Sequence, residues 1–326
     1  MDVRFLAATG VESHPATELP ALRRRTDGLL WVDIPSWDEA AAEASASAFD
    51  LHRLALRDCT ERNPVPKVHL YADHAFVVLH APKLGAAGHV HYIELDQFIG
   101  RDYLITVHGP LNPAVDPGVA MVEVKAVLAR LESGRLRPAS GMQLSHALTS
   151  ALAARLREHT ATLTHDVWRM EQQVTAGCLG DAELFLEEMF RTRNGLLTAR
   201  TMCTLSREVF GRMASISAFG EGGQKYLLDL VDQFSRLGTM ADGQKDYLQG
   251  TIEFYQARTN TKMTIAAERL AVIAAVTLPI TALSSVLGMN LIVSEHTHVG
   301  LLVLTLAVML VMSSALLVWA RRKGWW

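Results

Sequence analysis

Two apolar stretches near the end of the chain, separated by a short segment that opens Gly288-Met289-Asn290, restrict the possible folds more than any other feature. The second stretch, 299–320, runs 22 residues without a charge. As a helix rising 1.5 Å per residue it spans about 33 Å, enough for the hydrocarbon core of a bilayer. The first, 270–287, holds 18 uncharged residues, and a helix entering from water can extend it. No Lys or Arg lies in 288–298, whereas Arg258, Lys262 and Arg269 precede the first stretch and Arg321, Arg322 and Lys323 follow the second. Basic residues concentrate on the cytoplasmic side of a membrane. The pattern therefore predicts a transmembrane hairpin in the plasma or inner membrane, with both chain termini cytoplasmic and the Gly-Met-Asn loop outside.

The hydrophobic content of 49% is high for a soluble protein, and the C-terminal stretches account for it. A net charge of −3 gives no argument for a nucleic-acid partner. The N-terminus has no basic segment followed by an apolar run, so no signal peptide is expected. Cys59, Cys178 and Cys203 are scattered and odd in number. They are expected as reduced, buried small side chains rather than disulfides.

Proline divides the rest. Ten of the eleven prolines lie at or before Pro138, and the last is Pro279. The proline-free run between them, rich in Ala, Leu, Glu, Arg and Met, predicts long helices. Before Pro138 the pattern is mixed. Strands are expected over 29–34, 68–79, 90–99 and 103–107, with a helix over 38–56 and a turn over 85–88. After Pro138 three helices are expected, over about 142–174, 181–219 and 224–288. The stretch 220–223 is the clearest break, and Gly238 and Gly243 are points of weakness. The third helix is too long to be buried in one small domain, so it is expected to act as a stalk running into the membrane. The chain thus reads as an α+β membrane protein: a cytosolic α/β domain over 1–138, a cytosolic helical stalk over 139–263, and a transmembrane hairpin over 264–326.

The first apolar stretch is patterned. Ala274, Leu278, Thr281, Ser285 and Gly288 recur in steps of four and three, which places them on one helix face. Val272, Ile273, Val276, Ile280, Leu283 and Leu287 occupy the other. Small and hydroxyl residues favour close helix packing in lipid, so the stripe fits a helix–helix seam. It also fits a pore lining, which requires several copies around an axis.

At the loop the chain resembles the CorA family of divalent-metal channels. Gly288-Met289-Asn290 ends the first membrane helix as that family's signature does, and Pro279-Ile280-Thr281 matches its Pro-x-Thr. The ending Arg321-Arg322-Lys323-Gly324-Trp325-Trp326 matches its basic C-terminal cluster. Trp31-Val32-Asp33-Ile34 is similar to its first strand. Pro66-Lys67-Val68 followed by Ala75-Phe76-Val77-Val78-Leu79 is similar to the hairpin of its funnel domain. The resemblance implies a homopentamer in lipid, with a stalk funnel and a pore lined by the first membrane helix. It implies hydrated Mg²⁺, with Co²⁺ or Ni²⁺ as further cargo, and no permanently bound cofactor. Asn290 would be the outer ring that meets the ion, Gly288 the turn that aims it and Met289 the packing that holds the loop. Thr281 would form a polar ring, and Leu278 an apolar constriction able to gate by dewetting.

The chain departs from the family in three places. The aromatics that flank Gly-Met-Asn are here Leu287 and Leu291. The acidic segment that follows is replaced by Val293-Ser294-Glu295-His296-Thr297-His298. Glu295 can attract cations, while His296 and His298 suit softer metals such as Zn²⁺. The family's regulatory metal site pairs funnel and stalk acids. Here 85–88 holds no acid, which leaves Glu253 on the stalk. His89 and His91 share a strand face as exposed histidines or a metal pair. Asp229, Asp232, Asp242 and Asp246 give the third helix an acidic face, solvated for the most part, with one or two acids placed to meet Mg²⁺. Glu268 and Arg269 fall where stalk meets membrane. No Gly-rich phosphate loop, zincin motif or catalytic triad is present, which argues against an enzyme. A zinc transporter on the same scaffold and a non-conducting membrane anchor are the alternatives. An anchor needs neither the hydroxyl stripe nor Asn290.

Overall fold

The computed structural model describes residues 1–85, 88–110, 113, 115–177, 181–216, 220–288 and 299–322. By internal contacts it divides into two compact units, Met1–Gly250 and Thr251–Trp326.

The first unit is built on a seven-stranded sheet. In chain order its strands are β1 (Asp2–Ala7), β2 (Gly10–His14), β3 (Gly28–Ile34), β4 (Lys67–Leu70), β5 (His74–Leu84), β6 (Val90–Gly100) and β7 (Tyr103–Val107). In space the order is β2-β1-β3-β7-β6-β5-β4. Every pairing is antiparallel except β3 with β7, which run parallel from Leu30↔Tyr103 to Ile34↔Val107. The sheet is covered on both faces, so its central strands are apolar at consecutive positions and alternate only in which core they enter. Trp31, Ala75, Val77, Leu79, Leu95 and Leu104 enter one core. Leu30, Val32, Phe76, Val78, Phe98 and Ile105 enter the other.

Three short helices, α1 (Leu19–Leu22), α2 (Glu39–Ala48) and α3 (Arg53–Asp58), cover the second core with Leu19, Leu22, Ala41, Ala55 and the neighbouring Cys59. Sequence pattern predicts one helix over 38–56; the structure breaks it at Phe49–His52. Phe49 takes an extended conformation, φ −133° and ψ 144°, and buries its ring 4.7 Å from that of Tyr103. Leu51 buries as well. Side chains two apart reach one core only from extended backbone, so packing outweighs helix propensity here. The alternation over 68–79 is not one strand: β4 and β5 form a hairpin there, as the family resemblance implies. The N-terminal hairpin β1–β2 and the helix α4 (Val122–Glu132) add elements beyond those the pattern predicts.

The first core is closed by α4, by α5 (Gly141–Ala176) and α6 (Ala182–Ala214), and by the start of α7 (Gly220–Gly288) through Leu227, Leu230, Phe234 and Leu237. Ser140 caps α5, its Oγ accepting from Gln143 N at 3.3 Å, and Gly177 ends it at φ +76°. Asp181 caps α6 through Glu183 N at 2.9 Å. The expected break at 220–223 lies within the helix, because α7 opens at Gly220. Gly238 and Gly243 do not interrupt it. Gly238 packs against Cys203, and a Cβ there would stand 3.4 Å from that of Cys203, an ordinary contact. Cys59 and Cys203 are buried free thiols, and Cys178 lies outside the described residues.

The sheet also holds buried acids. On the α2–α3 face, Glu94 Oε1 accepts from Asn63 Nδ2 at 2.5 Å and Oε2 from Asn63 N at 3.0 Å. His80 Nε2 bonds Asn63 O at 2.7 Å, so the imidazole donates and is fixed in that tautomer. Asp96, two residues along the same face, is fully buried beside Glu94 and Cys59. Burial first, and then the adjacent Glu94 carboxylate, raise its pKa well above the usual range. Between the ordinary carboxylate value of about 4 and that raised value, folded protein holds a proton that unfolded chain has released. Stability therefore falls as pH rises through this window. Asp96→Asn keeps the shape and a donor toward Glu94 but cannot ionise. Its melting temperature should match the parent near pH 4 and exceed it by several degrees at pH 8; parallel melting curves from pH 4 to 8 would show that Asp96 does not titrate there.

Candidate functional site

The second unit contains the C-terminal part of α7 and the helix α8 (Val299–Arg322). Both helices are long and apolar enough to cross a membrane. Leu302, Val303, Leu304, Leu306, Leu310 and Val311 of α8 are 56–69% exposed, as side chains bathed in lipid would be. Arg321 and Arg322 are exposed in its last turn.

Burial within this unit separates the two faces of α7. Val272 is buried, and Val276, Pro279, Ile280 and Leu283 are half-buried. On α8 the corresponding stripe is Thr305, Met309, Met312, Ser313 and Leu316, ending at buried Ala320. Each stripe advances by three and four residues, the spacing of one helix face. Ala274, Leu278, Thr281, Ser285 and Gly288 are all exposed, Leu278 by 66%. Within one chain, then, Val272, Val276, Ile280 and Leu283 of the aliphatic face close, Ile273 stays 58% exposed, the side chain of Leu287 lies outside what is described, and the small and hydroxyl stripe stays open.

The open face has polar capacity. Thr281 Oγ1 donates to Thr277 O at 2.9 Å, and Thr277 Oγ1 donates to Ile273 O at 2.9 Å. Each hydroxyl satisfies its donor on its own helix and leaves oxygen lone pairs free to accept from water. Pro279 has no N–H, so the carbonyl one turn before it, on Ala275, lacks its usual helical donor. Sequence reasoning matched Pro279 to a motif but missed this freed acceptor, whose signal is the proline itself. Gly288 is the last residue of α7. Met289, Asn290, Glu295, His296, His298 and Lys323 lie outside the described residues.

Asp229, Asp232, Asp242 and Asp246 of α7 have basic partners. Asp229 Oδ2 bonds His146 Nε2 of α5 at 2.7 Å and accepts from Gln233 Nε2 at 2.6 Å. The hydrogen bond from His146 is the main reason its pKa is lowered. Asp232 pairs with Arg236 at 2.5 Å. Asp242 pairs with Lys245 at 2.8 Å and Arg200 at 3.0 Å, and Lys245 also reaches Asp246 at 3.1 Å. A cation entering here has to displace an ion pair. His146 escaped sequence reasoning because it is 83 residues from Asp229 and no local pattern links them. Glu253 is exposed on α7. Among the described residues no group of three or more His, Cys, Asp or Glu is placed to hold a metal ion.

The comparisons with known proteins agree with one another. A family model described as CorA-like Mg²⁺ transporter protein matches residues 26–322. A putative metal ion transporter of Bacillus subtilis (strain 168), YfjQ, is 22% identical over 299 residues, covering 90% of this chain and 89% of its own. The complete structure of the CorA magnesium transporter from Methanocaldococcus jannaschii matches with a TM-score of 0.78 at 14% identity, covering 100% of this chain and 99% of that one. The full-length CmaX protein matches with a TM-score of 0.76 at 18% identity, covering 98% and 97%. At these identities the two solved structures speak to the fold.

The division of α7 into a closed and an open face is testable by melting the solubilised protein. Val276→Asn places an amide in the half-buried aliphatic stripe and should cost roughly 1–3 kcal/mol. Leu278→Asn, two residues on and exposed, should leave the melting temperature within about a degree of the parent. Equal losses in the two variants would mean that burial does not distinguish these faces.

Proposed function

Because this chain belongs to the CorA-like Mg²⁺ transporter family, a family of metal ion transporters and not of enzymes, we propose that it is a homopentameric channel carrying Mg²⁺ across the cell membrane, with Co²⁺ or Ni²⁺ as further cargo. The observation that carries this reading is the open face of α7. Five copies around an axis would turn Ala274, Leu278, Thr281 and Ser285 into successive rings, while the aliphatic stripe stays on the outer side of the pore wall.

The chemistry of those rings suits an ion that keeps its water. Mg²⁺ dehydrates reluctantly and is usually bound with several waters retained. Five Asn290 amide oxygens at the outer mouth would accept hydrogen bonds from those waters without stripping them, and Gly288 would permit the turn that aims them inward. Met289 would pack to hold that loop, and Glu295 would raise the local cation concentration. Thr281 would repeat the water contact deeper in the pore. Leu278 would place five apolar side chains at one level, where a narrow passage empties of water and closes. Arg258, Lys262 and Arg269 before the first span, and Arg321, Arg322 and Lys323 after the second, support an orientation with both termini in the cytoplasm. The regulatory carboxylates expected from the resemblance reduce to Glu253, so inhibition by internal Mg²⁺ should be weak.

Two experiments test the proposal. Native mass measurement of the solubilised protein should give five chains. Single cysteines at 274, 281 and 285 should then react with a charged, water-soluble thiol reagent, whereas cysteines at 276 and 280 should not; a monomer, or the reverse labelling, would remove the pore. In the second, Asn290→Ala should abolish Mg²⁺ uptake by cells and keep the pentamer. His296→Ala with His298→Ala should leave Mg²⁺ uptake nearly unchanged, because Mg²⁺ prefers oxygen ligands. Selective loss of Zn²⁺ uptake in that double variant, with no Mg²⁺ carried by the parent, would identify a zinc transporter instead.

A further inference from the structure

The hairpin that joins β5 to β6 turns tightly. Gly85 N donates to His89 O at 2.8 Å, Gly88 N donates to Gly85 O at 3.0 Å, and Gly88 has φ +78°. His89 and His91 follow at positions two apart, so both side chains emerge on one face of the strand. Their rings meet. The two Nε2 atoms are 2.9 Å apart, with ring centroids at 4.3 Å and planes at 77°. Gly85 makes room for them. A Cβ at that position would stand 2.7 Å from His89 Nε2 and 2.8 Å from His91 Nε2, so any other residue displaces the rings from these positions.

Two neutral imidazoles that face each other through Nε2 share one proton between two lone pairs. A metal ion bound to both nitrogens would displace that proton and sit off the line between them. Two nitrogens at about 2.05 Å from an ion are separated by about 2.9 Å at the right angle of an octahedral site and about 3.3 Å at a tetrahedral one, so the nitrogens stand at the spacing of a cis octahedral pair and a small ring rotation reaches the tetrahedral one. His89 is exposed and His91 half-buried, which leaves room for water to complete the coordination shell. The nearby cations are Lys83, the cross-strand partner of His91, and Arg191 of α6, which lies against Gly88 and is held by Glu187.

We propose that His89 and His91 chelate a nitrogen-preferring divalent cation of the Ni²⁺, Co²⁺, Zn²⁺ or Cu²⁺ class at the tip of the β5–β6 hairpin. Imidazole suits these ions, whereas Mg²⁺ takes oxygen ligands, so the site would discriminate against Mg²⁺. It belongs to the α/β unit and does not depend on which ion the membrane helices carry.

The test uses the full-length, metal-stripped protein in detergent, with His296→Ala and His298→Ala already in place to silence the other histidine pair. Calorimetric titration with NiCl₂ should show one ion bound per chain, and the same concentration of MgCl₂ should not displace it. Replacing His89 and His91 together by Gln should weaken that binding at least tenfold. Gly85→Ala is the sharper variant. It keeps both histidines and asks only the far ends of two flexible side chains to move, so it should melt like the parent without metal and still bind Ni²⁺ at least tenfold more weakly. Unchanged Ni²⁺ stoichiometry and affinity in the histidine variant would overturn the proposal, as would full affinity in Gly85→Ala.

Discussion

A backbone in lipid can hide its polar groups only by bonding them within a helix or a closed barrel. One helix, α7, obeys that rule at its C-terminal end and a different one at its start. Near Gly220 it is a core helix, and Leu227, Leu230, Phe234 and Leu237 complete the packing of the α/β unit. Towards Gly288 it carries an uncharged span in which even the threonine hydroxyls bond back to the helix. The helical hydrogen-bond ladder is common to both parts, interrupted in the span only at Pro279, while the side chains change from those that pack on a sheet to those that tolerate lipid. The same requirement gives Pro279 its meaning, because a missing donor in the span leaves an acceptor that water or an ion's hydration shell can use.

The elements legible in the sequence are those whose signal is local. The runs that became β3 and β7, the long proline-free helices and the two spans carry their own period or length. What the pattern could not supply depends on partners far away in sequence. Phe49 breaks an Ala-rich helix only because Tyr103 offers it a place in the core. β1 and β2 are short, and β1 is specified by its pairing with β3. Gly238 reads as a weak point in isolation, yet α7 runs through it where it packs on Cys203.

The candidate site divides along the same line. The stripe of Ala274, Leu278, Thr281 and Ser285 is a matter of spacing and is plain in the sequence. Which face closes within the chain is not, because both faces are apolar and only burial separates Val276 from Leu278. The acids of α7 read as a solvated face until His146, Arg200 and Lys245 are seen beside them. For His89 and His91, spacing puts the two on one face, but only the turn at Gly85 brings their ring nitrogens to 2.9 Å.

The account rests on conduction of a hydrated divalent cation by rings of α7 side chains. Reconstitution of the purified protein into proteoliposomes loaded with a Mg²⁺-sensitive dye tests it most directly, with Mg²⁺, Co²⁺, Ni²⁺ and Zn²⁺ added outside in parallel. The account predicts Mg²⁺ entry down its gradient without any added energy source, and entry of Co²⁺ or Ni²⁺ as well. Correctly inserted protein that passes none of these ions, or that passes Zn²⁺ alone, would contradict it.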